Sequence, residues 1–386
     1  MDFSEYSFET ILEKLFNSVQ ESCKNLSQLN IIVAGKTGVG KSTLINAVFR
    51  EDLAETGIGT PVTQSMKKYS KSDFPLVIYD TKGFELDESV QKEVKASILS
   101  LISDKLSEND ISKAIHCIWY CINTASNRID PKEIEWLNSI CDESKLTNVP
   151  VIVILTQSFS KKNAADMQRV LESYNLNVTQ IIPVLAQDYE FDEDNPPIRA
   201  YGLDKLADVM NDVLPEKIQD TFINVQKCSL KMKVERANKY IITAASAAAA
   251  AGATPIPFSD AVILVPIQIT MLSGITKSFG FHITKAILST ILAGTIGTVG
   301  ATVLGKTIVS NVLKFIPGVG SVAGAVISGG TAAAITTALG KAYISILSKV
   351  YKGEMELNEL ETEAGKEAIR KAFEEHLKNS ENRSDN

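Results

Sequence analysis

Gly35-Lys36-Thr37-Gly38-Val39-Gly40-Lys41-Ser42 decides how the chain reads. It has the spacing GxxxxGKS, directly follows the apolar run 29–34, and precedes a stretch with Leu44, Ile45, Val48 and Phe49 at helical spacing. By residue frequencies alone such a pattern arises in roughly one chain in a hundred of this length, and the strand before it and helix after it make coincidence rarer. Glycines let backbone N–H groups turn inward on a phosphate, and the helix aims its positive end at the same charge. Lys41 is expected to bridge β- and γ-phosphate oxygens. The Ser42 hydroxyl is expected to ligate Mg²⁺, whose remaining shell is water and phosphate oxygen. The stretch therefore predicts a nucleoside triphosphate bound with Mg²⁺.

Outward from it, the apolar run 76–79 stops at Asp80, followed by Thr81-Lys82-Gly83. A DxxG at this distance places a carboxylate beside Mg²⁺ and a glycine amide toward the γ-phosphate. Between the two, Gly59-Thr60-Pro61-Val62-Thr63-Gln64 reads as a polar loop, where a switch threonine would close on metal and γ-phosphate. Thr63 is the choice, with Thr60 competing.

Apolar runs at 29–34, 76–79, 114–122, 149–155 and 179–185 alternate with helical stretches, which predicts a mostly parallel sheet between helices. Ahead of it, Phe8, Ile11, Leu12, Leu15, Phe16 and Val19 mark an amphipathic helix capped by Ser7 that needs a partner. After Pro215 the β-pattern ends, residues 244–251 are almost pure alanine, and the composition turns to Gly, Ala, Thr and Ser. The expected plan is an amphipathic helix (1–28), an α/β domain (29–215), an all-α Gly/Ala-rich hydrophobic domain (216–352) and a charged helix and tail (353–386), unstructured from Asn379.

A formal net charge of −7 gives no attraction to nucleic acid, so no nucleic-acid partner is expected, and membrane contact would have to be apolar. Residues 286–305 and 315–340 carry no charge and are long enough to cross a bilayer. Their many Gly, Ser and Thr residues equally suit helices packed closely in a bundle. Five irregularly spaced cysteines form no zinc or disulfide pattern, which points to a reducing compartment. His116, His282 and His376 are scattered and suggest no metal or acid–base site. The opening MDFSEYSFE has acids where a secretory signal needs a basic region, so a cytoplasmic location is expected.

GKTGVGKSTLINAVF, then PVTQ, then YDTKGF resembles the Era-like and immunity-related GTPases over about residues 29–214. The resemblance implies a P-loop NTPase G domain and GTP as substrate. Ser42 and Thr63 would bind Mg²⁺ directly and Asp80 through water. Nucleotide contacts would come from Gly35, Lys36, Thr37, Gly38, Val39, Gly40, Lys41, Ser42 and Thr43, with Thr156, Gln157 and Ala186. Lys41, Thr63, Gly83 and Thr37 would serve catalysis, with switches around Thr63 and Gly83. The run 116–123 leading to Asn127 and Arg128 is similar to the fourth strand of a subgroup. Further on, Pro255-x-Pro257-x-x-Asp260 with Gln268 and Met271 resembles a helical domain of uncharacterised function that follows the G domain in many Era-like proteins, over about residues 234–350.

Three positions depart from the pattern. Guanine-specific members carry N/TKxD, and here the stretch is Thr156-Gln157-Ser158-Phe159. Thr156 fits and Gln157 can lie along the base, but Phe159 cannot accept the paired N–H bonds an aspartate takes. The preference for GTP thus comes from the resemblance and not from base-reading chemistry. Ala186 stands in Val184-Leu185-Ala186-Gln187 where the family has SAK, so only a backbone contact carries over. Phe84 follows Gly83 where Ras-type enzymes place a water-orienting glutamine, leaving Thr37, Arg128 or a dimer partner to supply the missing group.

The expected function is a Mg²⁺-dependent GTP-binding protein, a slow or assembly-activated GTPase whose nucleotide state is coupled to a helical, membrane-associated domain. Its expected partners are GTP and GDP, a second copy through the G domain, and membrane lipid. A catalytically degenerate nucleotide-binding scaffold and a P-loop ATPase are the alternatives.

Overall fold

The computed structural model describes residues 8–51, 58–83, 88–191, 196–252, 260–296 and 329–384. Among the described residues, seven strands form one sheet: β1 (Leu29–Ala34), β2 (Ile58–Thr63), β3 (Met66–Lys71), β4 (Phe74–Thr81), β5 (Cys117–Asn123), β6 (Val151–Thr156) and β7 (Gln180–Pro183). Their order is β2-β3-β4-β1-β5-β6-β7. Neighbours from β4 to β7 are parallel, and β3 runs antiparallel to both β2 and β4. The strand order reverses at β1, flanked by β4 and β5, and ligands of open α/β sheets settle beyond the strand ends at such a switch point.

β1, β5 and β6 are buried almost throughout, so they read as continuous apolar runs, as a sheet covered on both faces requires. α3 (Glu88–Ser107), α4 (Pro131–Thr147) and α5 (Lys161–Ser173) cover one face, with Val94, Ile98, Leu137, Ile140 and Leu171 packed on Ile32, Val77, Ile118 and Val153. On the other, Trp119 of β5 stacks on Phe49 at 5.7 Å, and its Nε1 approaches Sδ of Met210 at 3.0 Å. Phe49 follows α2 (Lys41–Val48), and Met210 lies on α6 (Leu203–Val213).

The stretch 59–64, expected as a loop, is largely the edge strand β2. Gly59 and Pro61 hide its alternation, and the register shifts between Pro61 and Thr63, an irregularity an edge strand tolerates.

This unit runs Leu26–Ser229. It extends past Leu214 because α7 (Glu216–Val225) buries Ile218, Phe222 and Val225. Thr221 Oγ1 donates to the Ser27 carbonyl at 2.6 Å, and Arg50 donates to the Asn224 carbonyl and Oδ1, both at 2.9 Å.

The second unit joins Met1–Asn25 to Leu230–Asn386. It contains α1 (Phe8–Lys24), α8 (Leu230–Gly252), α9 (Asp260–Phe279), α10 (Lys285–Ile296), α11 (Gly329–Tyr351), a 3₁₀ turn (Leu357–Glu361) and α12 (Glu363–Ser384). The partner α1 needs is here: Ile11, Leu12, Leu15 and Val19 share one core with Ile241, Leu272, Ile275, Ile287, Tyr343, Ile369 and Phe373. Ser7, the expected cap, lies outside the described residues.

Small residues let these helices close up. A Cβ on Gly340 would stand 2.6 Å from Ile241 Cγ1 and 3.0 Å from Met271 Sδ. Buried Lys233 donates to the carbonyls of Ser278 and Phe279 at 3.2 and 3.0 Å, a cation on the final turn of α9.

α12 continues to Ser384, past Asn379 where an unstructured tail was expected, since extending a formed helix costs far less than starting one. Among the described residues no helix is long and apolar enough to cross a membrane. Residues 297–328, which hold much of the two uncharged segments, lie outside that description, as do Pro255 and Pro257.

His116 is a structural residue. Its Nδ1 accepts the Asn30 backbone N–H at 2.9 Å and its Nε2 donates to the Ile111 carbonyl at 2.7 Å, which fixes a neutral ring. Burial, outweighing those two backbone bonds, holds its pKa below the ordinary histidine value. The native state therefore binds this proton less readily than the unfolded chain. Its contribution is complete above about pH 6.5 and is lost as pH falls below it, by up to about 1.4 kcal/mol per pH unit. Urea midpoints measured between pH 7.5 and 5.5 should fall on acidification, and should fall less in His116→Gln, which starts lower at pH 7.5.

Candidate functional site

The loop leaving β1 takes positive φ at Gly35 (+144°), Gly38 (+74°) and Gly40 (+94°), and Gly40 caps α2 in a left-handed conformation. Gly35 is required sterically as well, because a Cβ there would lie 2.5 Å from the Cys121 carbonyl oxygen of β5. Lys41 is only 9% exposed, and its Nζ donates to the carbonyls of Gly35 (2.9 Å) and Lys36 (3.0 Å). The ammonium is thus held by the loop it belongs to. Ser42 and Thr43, in the first turn of α2, are exposed, as are Thr37 and Gly38, while Val39 is buried.

Glu133 is a member of the site that the sequence reading missed. It accepts from Lys36 Nζ at 2.6 Å and from the Tyr120 hydroxyl at 3.1 Å, tying the loop to α4 and β5. Burial, then the neighbouring Glu133 charge, pushes the Tyr120 phenol well up, so it remains a donor. No periodicity marks Glu133; Asp130-Pro131 announces only the helix start, where Asp130 caps Lys132 N.

At the end of β4, Asp80 Oδ1 is buried without a hydrogen-bond partner. Burial raises its pKa, opposed by the charges of Lys41 and Lys67. An orphaned carboxylate oxygen beside a buried lysine is an environment completed by a cation or its water, so the residues present fit Mg²⁺. Among the described residues no group of three His, Cys, Asp or Glu could hold a metal by itself, so such an ion would depend on phosphate oxygens as well. Gly83 stands against the loop: a Cβ there would lie 2.5 Å from Thr37 N. Phe84 lies outside the described residues.

Thr63 ends β2 opposite Met66, which pairs with Thr81, so it lies at the same end of the sheet as Asp80. Its hydroxyl bonds to Ser65 Oγ at 3.1 Å and Ser97 Oγ at 3.3 Å, and no bond to Ser42 or Asp80 is present. Thr60 pairs with Lys68, farther back along the hairpin.

The end of β6 is stitched to the loop. Thr156 Oγ1 donates to the Val39 carbonyl at 2.5 Å, and Gln157 Nε2 to the Gly38 carbonyl at 3.0 Å. Gln157 has φ of +51°, uncommon for a residue other than glycine, and Thr124 Oγ1 holds its carbonyl at 2.9 Å. Phe159 is half-buried in contact with Tyr189 and Phe191. Ala186 follows Leu185, which bridges to Tyr201, and no hydrogen bond links it to the loop among the described residues. Arg128 is exposed on the connection from β5 to α4.

Residues 30–157 match the family described as 50S ribosome-binding GTPase, and residues 218–379 match a domain of unknown function, DUF697. The chain is 25% identical over 199 residues to Septin-1 of Drosophila melanogaster, covering 45% of this chain and 54% of the septin. It is 24% identical over 190 residues to human Septin-12, covering 43% and 51%. The chain thus spans about half the length of these curated relatives. The crystal structure of a probable GTP-binding protein engB aligns with a TM-score of 0.31 at 19% identity, covering 48% of this chain and 97% of that one. By its sheet, its loop and these two family matches, the chain carries a P-loop GTPase G domain followed by a DUF697 domain.

Proposed function

We infer that this protein is a Mg²⁺-dependent GTPase of low turnover, activated by assembly, whose nucleotide state is coupled to its helical unit. The observation that carries the reading is the buried Lys41 inside a loop of positive-φ glycines, next to the orphaned Asp80 oxygen. Loop N–H groups and Lys41 would bind the phosphates, and Glu133 would hold Lys36 and with it the loop. Ser42 and Asp80 would hold Mg²⁺, with Thr63 joining once its hydroxyl leaves Ser65 and Ser97. The ion would supply neutralisation of the charge on the β- and γ-phosphates. Gly83, lying against Thr37, would respond to a γ-phosphate. Water would attack the γ-phosphorus as the bond to the β-phosphate oxygen breaks. Placement among Era-like and immunity-related GTPases rests on the motif string, and membrane association on the uncharged stretches 286–305 and 315–340.

A scaffold that binds without turnover is the second reading, favoured by Phe159 in place of an acceptor and by the engaged Thr63 hydroxyl. Phosphate release from GTP, followed across a concentration series with and without phosphatidylcholine liposomes, separates the two. A rate per molecule that climbs several-fold with concentration is expected. A flat rate at the buffer level would establish the scaffold, and protein that fails to float with liposomes would remove the lipid from the proposal.

A further inference from the structure

Phosphate binding leaves three rings, clustered around Phe159, unexplained. Phe159, Tyr189 and Phe191 touch pairwise, with centroids 4.5, 5.8 and 4.9 Å apart. Phe191 keeps 62% of its surface exposed and Tyr189 38%. Two open rings backed by a third form a small aromatic face.

Local bonds fix where these rings stand. Tyr189 and Ile198 exchange backbone bonds of 2.9 and 2.8 Å, and the Tyr201 hydroxyl donates to the Ser158 carbonyl at 2.8 Å. Gln157, bonded to the Gly38 carbonyl, precedes Phe159 by two residues, and two residues of chain reach at most about 7 Å. Phe159 is thus tethered, within two residues of chain, to a side chain that touches the phosphate loop. Nearby, Asp188 already accepts from Ala200 N (2.8 Å) and Arg199 (2.5 Å), so both its oxygens are engaged.

We propose that a purine base, its phosphates in the loop 35–42, is held by stacking on the Phe159, Tyr189 and Phe191 face, so that guanine and adenine nucleotides bind with similar affinity. This rests on the loop binding a triphosphate. Every base offers a π-face, so stacking supplies affinity with little discrimination, whereas large discrimination needs paired polar groups that the wrong base leaves unmatched.

Titration calorimetry on the full chain in Mg²⁺, with GTP, ATP and inorganic tripolyphosphate, tests it in wild type, Phe191→Ala and Phe191→Tyr. GTP and ATP affinities within about tenfold of each other are expected, as is a loss of roughly tenfold for both in Phe191→Ala. Phe191→Tyr should restore both, and tripolyphosphate binding should not change. A GTP preference of about a hundredfold or more would overturn the stacking proposal and leave the phosphate loop standing. So would nucleotide affinities indifferent to Phe191→Ala while tripolyphosphate binds. If wild type binds none of the three ligands, the loop assignment fails and the stacking proposal falls with it.

Discussion

Lys41→Ala should weaken Mg²⁺–triphosphate binding by about a hundredfold or more, since it removes charge-assisted bonds together worth about 3 kcal/mol. The structure adds a condition that the motif does not reveal. Lys41 is buried and satisfies the carbonyls of Gly35 and Lys36, so it must exchange those bonds for phosphate oxygens, and alanine leaves both carbonyls without that donor. A modest loss of stability should therefore accompany the loss of binding. Calorimetric titration beside circular dichroism separates them: folded protein with affinity within a factor of about two of wild type would defeat the loop assignment.

Gly35→Ala should be the most damaging of the small loop substitutions. Its methyl would enter the space of the Cys121 carbonyl, part of the central sheet and unable to swing aside, at a φ that alanine rarely adopts. Strain and overpacking together should cost about 2–4 kcal/mol, lowering the melting temperature of this unit by roughly 5–15 °C. Gly38→Ala is the control: its φ is also positive, but a Cβ there meets nothing within 4 Å, so only backbone strain of about 1 kcal/mol should appear. Equal melting temperatures for the two variants would show that β5 does not confine the loop.

The phosphate loop was legible because its chemistry is local: eight consecutive residues specify a turn, a cation and a helix start. Asp80 stands out because the apolar run 76–79 stops at it, one residue before the end of β4. β2 was not legible, since edge strands need little apolar alternation and this one contains Gly59 and Pro61. Glu133 and the rings at 189 and 191 escaped for a different reason. They reach the site through folding, from 97 residues beyond Lys36 and about 30 beyond Phe159, and no spacing rule connects such positions. Phe159 stands where the guanine motif has its acceptor, and Tyr189 and Phe191 pack against it.

α1 belongs to the helical unit, yet the whole of Leu26–Ser229 separates it from the other helices of that unit. On a ribosome, Ile11, Leu12, Leu15 and Val19 emerge before the G domain exists and stay without their native partners until α8 and its successors are made. At about 5–20 residues per second the intervening stretch alone takes on the order of 10–40 s. During that interval the G domain can fold around its own sheet while the apolar stripe of α1 still lacks the helices that cover it. The helical unit can therefore be completed only once α8 and its successors have been made, by closing a loop that contains the whole of Leu26–Ser229.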